Sequence, residues 1–249
     1  MNLRSRIRTL RALKPTQEQE LPEVARSVAI ILDGNARWAR RRGLPTAAGH
    51  RAGTRALRRT VEAAIDLGVE TLTVYAFSTE NWSRPREEVD VLMEIFGETI
   101  ERELPDLVAQ GVRVRFLGRR DRAPDALRER MDALEEETRH NERLSLWIAF
   151  DYGGRDELVQ AARRLVESGI DPREVDENAL AAHLYAPELP EPDLLIRTSG
   201  ELRVSNFLLW QLAYAELVFV ETLWPDFGYE HLRGALTEYA GRRRRFGGR

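Results

Sequence analysis

The sequence predicts an α/β fold: a single Rossmann-like domain whose mainly parallel central sheet of about six strands is flanked by helices. Three observations lead there. Short β-rich runs alternate with longer stretches of helical period. The helical stretches are bounded by Pro and Gly at the positions that start and stop helices. No internal repeat or low-complexity linker divides the chain.

Taken in order, the strands are expected over Val28–Leu32, Thr71–Phe77, Val112–Leu117, Leu144–Phe150, Asp193–Arg197 and Leu217–Glu221. Between the first two, Ala52, Leu57, Val61, Ala64 and Ile65 form an apolar helical stripe that ends at Gly68. Val89, Leu92, Met93, Phe96 and Ile100 form the next, opened by Pro85 with Glu87 and Glu88 in its first turn. Leu158, Val159, Ala162, Leu165 and Val166 form a third, closed by Gly169. Residues 1–26 read as a basic, helical N-terminal extension and 27–249 as the domain. Leu3, Ile7, Leu10 and Leu13 share one face of that extension, which could rest on an anionic membrane surface or dock on its own domain.

Composition narrows the function. With no cysteine, disulfides, thiol nucleophiles and cysteine-based zinc sites are excluded, and four histidines make a histidine-rich zinc site a poor candidate. No window has the length of apolar sequence that a membrane span needs, and the N-terminus lacks the pattern of a secretory signal. A cytoplasmic location is expected. Lys14 is the only lysine among 38 basic residues, so any phosphate site here is an arginine site, matched by the planar guanidinium fork. The tail GRRRRFGGR reads as a solvated helix end, and no nucleic-acid partner is expected.

Ligands of parallel α/β sheets gather at the carboxyl ends of the strands. After the first strand come Asp33, Gly34, Asn35, Ala36, Arg37 and Trp38. Gly34 allows close backbone approach, and a helix opening at Asn35 would turn free N–H groups toward an anion. An acid beside an anion requires a cation between them, and Mg²⁺ bridges carboxylate and phosphate oxygens in this way. The competing reading makes Asp33 a helix cap and Arg37 a surface charge. After the second strand, Ser78, Thr79, Glu80, Asn81, Trp82 and Arg84 crowd a loop before Pro85. After the fifth, Arg197, Ser199, Arg203 and Ser205 surround Gly200 in a plausible diphosphate cradle, unless those arginines simply pair with nearby acids. Glu216 interrupts an apolar run, where a lone acid is costly unless paired or metal-bound. There is neither GxxxxGK[ST] nor GxGxxG, which disfavours nucleoside triphosphates and dinucleotides. These residues point to a Mg²⁺-assisted enzyme of phosphorylated substrates without naming the substrate.

From Val28 to Gly248 the chain resembles the cis-prenyltransferases of the undecaprenyl diphosphate synthase (isoprenyl transferase) type. The resemblance rests on DGNARWA, GHRAG, YAFSTENWSRP, DYGGR, IRTSGELRVSNFLLWQLAYAEL and LWPDF, all in family order. It implies condensation of isopentenyl diphosphate with an allylic diphosphate, farnesyl or geranyl, to a cis polyprenyl diphosphate, with a long-chain product favoured. It further implies that Asp33 coordinates Mg²⁺ and that Gly34, Asn35, Ala36, Arg37 and His50 hold the allylic diphosphate, with Trp38 lining the same pocket. Ser78, Thr79, Glu80, Asn81, Trp82 and Arg84 would position the reacting carbons, Asn81 accepting the departing proton. Arg197, Arg203, Val204 and Ser205 would hold isopentenyl diphosphate, and Glu216 would share in metal binding. A homodimer is implied. Two positions depart from the family pattern: Ala36 stands where DGNGRW has glycine, and Thr46 where an arginine often precedes GH. An apolar tunnel is expected for the growing chain, walled by Leu72, Val74 and Ala76 and by Leu144, Leu146, Ile148 and Phe150. Ala76 leaves room for a long product, while the bulk of Phe150 would shorten it. The alternatives are a short-chain Z-prenyl diphosphate synthase and a non-catalytic partner subunit of a prenyltransferase complex.

Overall fold

The computed structural model describes residues 25–242. All six strands form: β1 (Ser27–Ile31), β2 (Thr71–Ser78), β3 (Val112–Leu117), β4 (Leu144–Tyr152), β5 (Leu194–Arg197) and β6 (Glu216–Phe219). They make one sheet in the order β3-β4-β2-β1-β5-β6, with every pairing parallel. Such strands are buried on both faces, so they read as continuous rather than alternating apolar runs. The SVAII of β1 is buried at every position.

The helices run in chain order: α1 (Asn35–Arg41), α2 (Thr46–Asp66), α3 (Arg86–Ala109), α4 (Asp125–Glu137), α5 (Gly154–Glu167), α6 (Glu177–Ala181) and α7 (Tyr229–Ala240). One face of the sheet carries the larger core, in which Val28, Ile30, Leu72, Val74 and Leu146 pack with Ala56, Val61 and Ala64 of α2 and Leu92 of α3. The other face carries Ala29, Ile31, Tyr75, Trp147 and Tyr152 beneath Phe207 and Leu208. The sheet is thus wound on both sides.

The three predicted stripes lie on α2, α3 and α5, with one rotated. Helix α5 buries Gly154, Glu157, Ala161 and Leu165, leaving Val159 50% and Val166 79% exposed. The buried acid decides this: Glu157 accepts from the Tyr152 hydroxyl at 2.5 Å and from the Gln211 amide, so the helix turns that side inward. Strand β6 begins at Glu216 rather than Leu217 and stops before Val220. The N-terminal extension falls outside the described residues except for Ala25 and Arg26, as does the tail beyond Arg242. Among the described residues, no helix is long and apolar enough to cross a membrane.

Register explains the packing of GHRAG. Gly49 and Gly53 lie one turn apart on α2, where a Cβ on Gly49 would stand 2.2 Å from the Asn35 carbonyl oxygen. A Cβ on Gly53 would stand 2.5 Å from the Asn35 side chain and 3.0 Å from Trp224. The two glycines therefore let α1 lie directly on α2, which aims Asn35 at the strand ends.

Candidate active site

In-register pairing aligns Ile31 with Tyr75 and with Arg197, so the segments beyond β1, β2 and β5 emerge at one edge of the sheet. Asp33 is held there by its backbone. Its N–H donates to the Thr198 hydroxyl at 2.9 Å, and its carbonyl accepts from that hydroxyl at 2.7 Å and from the Trp224 N–H at 2.9 Å. Its carboxylate accepts from the Arg197 guanidinium at 2.9 Å. Gly34 comes next at φ 110°, against Leu223, a conformation that a side chain would strain.

Arg197 is buried at the end of β5 and also donates to the Ser205 hydroxyl at 2.7 Å and to the Arg203 carbonyl. The loop it opens holds Ser199, Ser205, Asn206 and Leu208 at positive φ. Four non-glycine residues in the left-handed region give this one segment a strained backbone that its surroundings must hold in place. Arg37 reaches this loop from α1, donating to the Ser199 carbonyl and to Glu201, both at 2.9 Å. Glu201 also receives Arg203, so one carboxylate bridges two of the arginines assigned to different diphosphates.

Beyond β2, Thr79–Ser83 forms a 3₁₀ turn closed by a reciprocal Ser78–Asn81 capping box. The Asn81 side-chain oxygen accepts from the Ser78 N–H at 3.1 Å. Arg84 pairs with Glu88 at 3.0 Å and stands beside His50. Burial first, then the Arg84 charge, pushes the His50 ring down to about 4, so it is neutral at pH 7. A neutral imidazole keeps one N–H to donate.

Part of this set rings the mouth of a cavity of ≈ 590 Å³. Asp33, Asn35, His50, Ser78, Glu80, Asn81, Arg84, Arg197 and Ser205 line its polar end. Its interior runs between α2, α3 and the sheet over Leu57, Leu92, Phe96, Ile100, Leu146 and Ile148. The buried Asn35 Oδ1, His50 Nε2, Arg197 Nε and Ser199 Oγ have no hydrogen-bond partner among the described residues. Of these, Asn35, His50 and Arg197 line the cavity and Ser199 does not; other unpaired buried atoms, those of Thr73 and Ser145 among them, lie away from it.

Several expected residues are placed elsewhere. Trp38 turns away from the cavity, its indole N–H donating to Asp226 at 2.7 Å while Arg42 stacks 4.1 Å over the ring. Trp82 packs edge-on against Phe77 at 5.1 Å and donates to buried Asp151 at 2.8 Å, bracing the turn from behind. Ala36 and Thr46 are exposed, as is Arg203 beside Glu201. Glu216 also stands apart from the cavity lining. It sits at the start of β6 opposite Leu194, which is level with Val28, and its carboxylate pairs with Arg242 at 2.7 Å. Asp33 lies beyond the far end of β1, so Glu216 and Asp33 sit toward opposite ends of the strands that carry them. Of the proposed tunnel walls, Ala76, Leu146 and Ile148 face the cavity. Leu72, Val74 and Leu144 are core, and Phe150 is enclosed by Phe77 and Phe96.

Thr198, Glu201, Asp151 and Asn206 were not among the expected site residues. Thr198 sits inside IRTSG and Asp151 inside DYGGR, yet only the folded contacts reveal what each holds. Among the described residues, no three acidic or histidine side chains converge as a metal cage. The lone Asp33 fits the magnesium pattern instead, in which one carboxylate, water and phosphate oxygens complete the shell.

A doubly wound parallel sheet, arginines gathered at its strand ends, each paired with an acid, and an apolar cavity behind them suit an enzyme of lipid-like diphosphates. The family profile described as undecaprenyl diphosphate synthase matches residues 31–247, and the chain belongs to that family, the cis-prenyltransferases. It is 51% identical over 228 residues to the farnesyl-diphosphate-specific ditrans,polycis-undecaprenyl-diphosphate synthase of Xanthomonas axonopodis pv. citri, covering 90% of this chain and 89% of that one. An isoprenyl transferase from Heliobacterium mobile is 49% identical, over 90% of this chain and 88% of its own. Among solved structures, lavandulyl diphosphate synthase from Lavandula x intermedia, in complex with dimethylallyl diphosphate, superposes with a TM-score of 0.87 at 37% identity. That match covers 90% of this chain and 98% of the neighbour.

Proposed function

We propose that this cis-prenyltransferase condenses isopentenyl diphosphate with farnesyl diphosphate, in a Mg²⁺-dependent reaction, to a long-chain polyprenyl diphosphate. The observation that carries the reading is the cavity itself, with a mouth of unsatisfied donors and acceptors and an apolar interior. The farnesyl specificity of the Xanthomonas relative supports the primer and the product class.

In this reading the carbon–oxygen bond of the allylic diphosphate breaks, and the leaving diphosphate keeps the electron pair. A carbon–carbon bond forms to the isopentenyl double bond, and a proton is then lost. Bound Mg²⁺ would supply electrostatic stabilisation of the leaving diphosphate. Asp33 would hold that ion, and Gly34, Asn35, Arg37 and His50 would hold the diphosphate. Arg197 and Ser205 would hold the second diphosphate at the cavity mouth, with Arg203 reaching in from the exposed side of the same loop beside Val204, and Asn81 would face the departing proton. Fixing two reactants in attack geometry is worth on the order of 7–11 kcal/mol. In this reading the protein acts in the cytoplasm as a homodimer.

Incubation with radiolabelled isopentenyl diphosphate, farnesyl diphosphate and Mg²⁺, then chromatography of the extracted lipid, tests the reading. A long polyprenyl product lost on chelation is expected; no incorporation would overturn it. Sedimentation gives the oligomeric state independently.

A further inference from the structure

Asn206 comes directly after Ser205 in the arginine loop and is held at φ 61°, a left-handed conformation that asparagine tolerates better than most residues. Its side chain reaches out of its own loop in two directions. The amide nitrogen donates to Glu80 Oε1 in the Thr79–Ser83 turn at 2.8 Å. The amide oxygen accepts from the Arg155 N–H at 2.9 Å, and its backbone carbonyl accepts from the Gly154 N–H at 2.7 Å. Gly153 brings the same junction close to the turn, since a Cβ there would lie 2.6 Å from the Thr79 hydroxyl and 2.8 Å from the Asn206 amide. Three chain segments, those beyond β2, β4 and β5, therefore meet on one side chain, and Asn206 also lines the cavity.

We propose that Asn206 is a positioning residue that fixes the Asn81-bearing turn relative to the arginine loop, and so sets the distance between proton acceptor and isopentenyl group. The proposal rests on the functional reading above. No β-ladder ties that turn to that loop at this edge: Ser78 pairs with Tyr152 at the last rung, and β5 is separated from β2 by β1. Glu80 has its own bond to the Thr79 hydroxyl at 3.2 Å, so the Asn206 amide is its link out of the turn. An error of about 1 Å in the placement of reacting groups costs on the order of a hundredfold in rate, whereas none of the groups assigned to either diphosphate lies in the Thr79–Ser83 turn.

Asn206→Gly is the informative variant, because it keeps the left-handed backbone and the carbonyl bond to Gly154 while removing both side-chain bonds. The expected result is a fall in kcat of roughly ten- to a hundredfold, with KM for each diphosphate within about twofold of the parent. A double-mutant cycle with Glu80→Ala is expected to be non-additive. Hydrogen exchange of the full chain without substrates supplies a second readout: amides of residues 78–84 exchange faster in the variant. Should Asn206→Gly not fold, Asn206→Asp keeps the acceptor for the Arg155 N–H, places an anion against Glu80 and carries both readouts. Parental kcat, a loss confined to KM, or unchanged exchange at 78–84 would overturn the proposal. An inactive parent whose exchange still responds would instead overturn the functional reading and leave the structural tie standing.

Discussion

The Asp33 carboxylate and the Arg197 guanidinium stand 2.9 Å apart, joining the end of β1 to the end of β5. The arginine side chain is only 4% exposed, whereas the aspartate is 29% exposed and open to the cavity mouth. The pair ties the group assigned to the metal directly to the group assigned to the second diphosphate. Removing the acid affects both.

Asp33→Ala is therefore expected to cut turnover by roughly 10²–10³-fold or more, the scale seen when a group stabilising developing negative charge is removed. It also leaves a buried guanidinium without its anionic partner, at a cost of about 1–3 kcal/mol. Incorporation assays and a denaturant melt on the same preparation check both, and the variant should remain folded.

Arg197→Lys retains the charge but not the fork that engages Asp33, Ser205 and the Arg203 carbonyl together. Its KM for isopentenyl diphosphate should rise by roughly tenfold or more, the worth of one charged hydrogen bond. Steady-state kinetics with the allylic primer saturating measure it, and a parental KM would remove Arg197 from that diphosphate.

Stability should respond to pH through His50. Its folded value of about 4 lies below the ordinary 6.5, so between those values the unfolded chain binds the additional proton. The stability tied to the neutral ring is complete above pH 6.5 and is lost as the pH falls toward 4. Melting temperatures across that window should decline in the parent and decline less in His50→Gln.

Gly49→Ala forces a methyl to within 2.2 Å of the Asn35 carbonyl oxygen, a backbone atom that cannot swing aside. Separating α1 from α2 should cost about 1–3 kcal/mol or more, as overpacking of tight interiors does. Thermal unfolding measures it. Gly234→Ala, with open space around its Cβ position, is the control expected to be harmless.

Ala76 is a small residue on the sheet wall of the cavity. Ala76→Leu adds bulk there, and the expected outcome is a shorter product with initial incorporation of label retained. Thin-layer analysis of the lipid reads the shift directly.

The sequence by itself determined the sheet, because six short apolar runs separated by helical stripes leave a wound parallel sheet as the way to bury both faces. It also determined which residues gather at the strand ends, since residues just past parallel strands must share one edge. Asp33, Asn35, Asn81, Arg197 and Ser205 line a single mouth for that reason, and His50 joins them from α2. What the tertiary structure decided was direction and partnership. A one-dimensional pattern places Trp38, Trp82 and Glu216 near a strand end, but not which way each side chain points or, for Glu216, which end of the strand it occupies. Contacts of Asp226, Asp151 and Arg242, each distant in sequence from its partner, settle those cases. The same holds for Asn206 and Glu80, which are 126 residues apart in the chain. Local spacing carries periodicity and turn chemistry, whereas a hydrogen bond between remote loops exists only once the sheet has set them side by side.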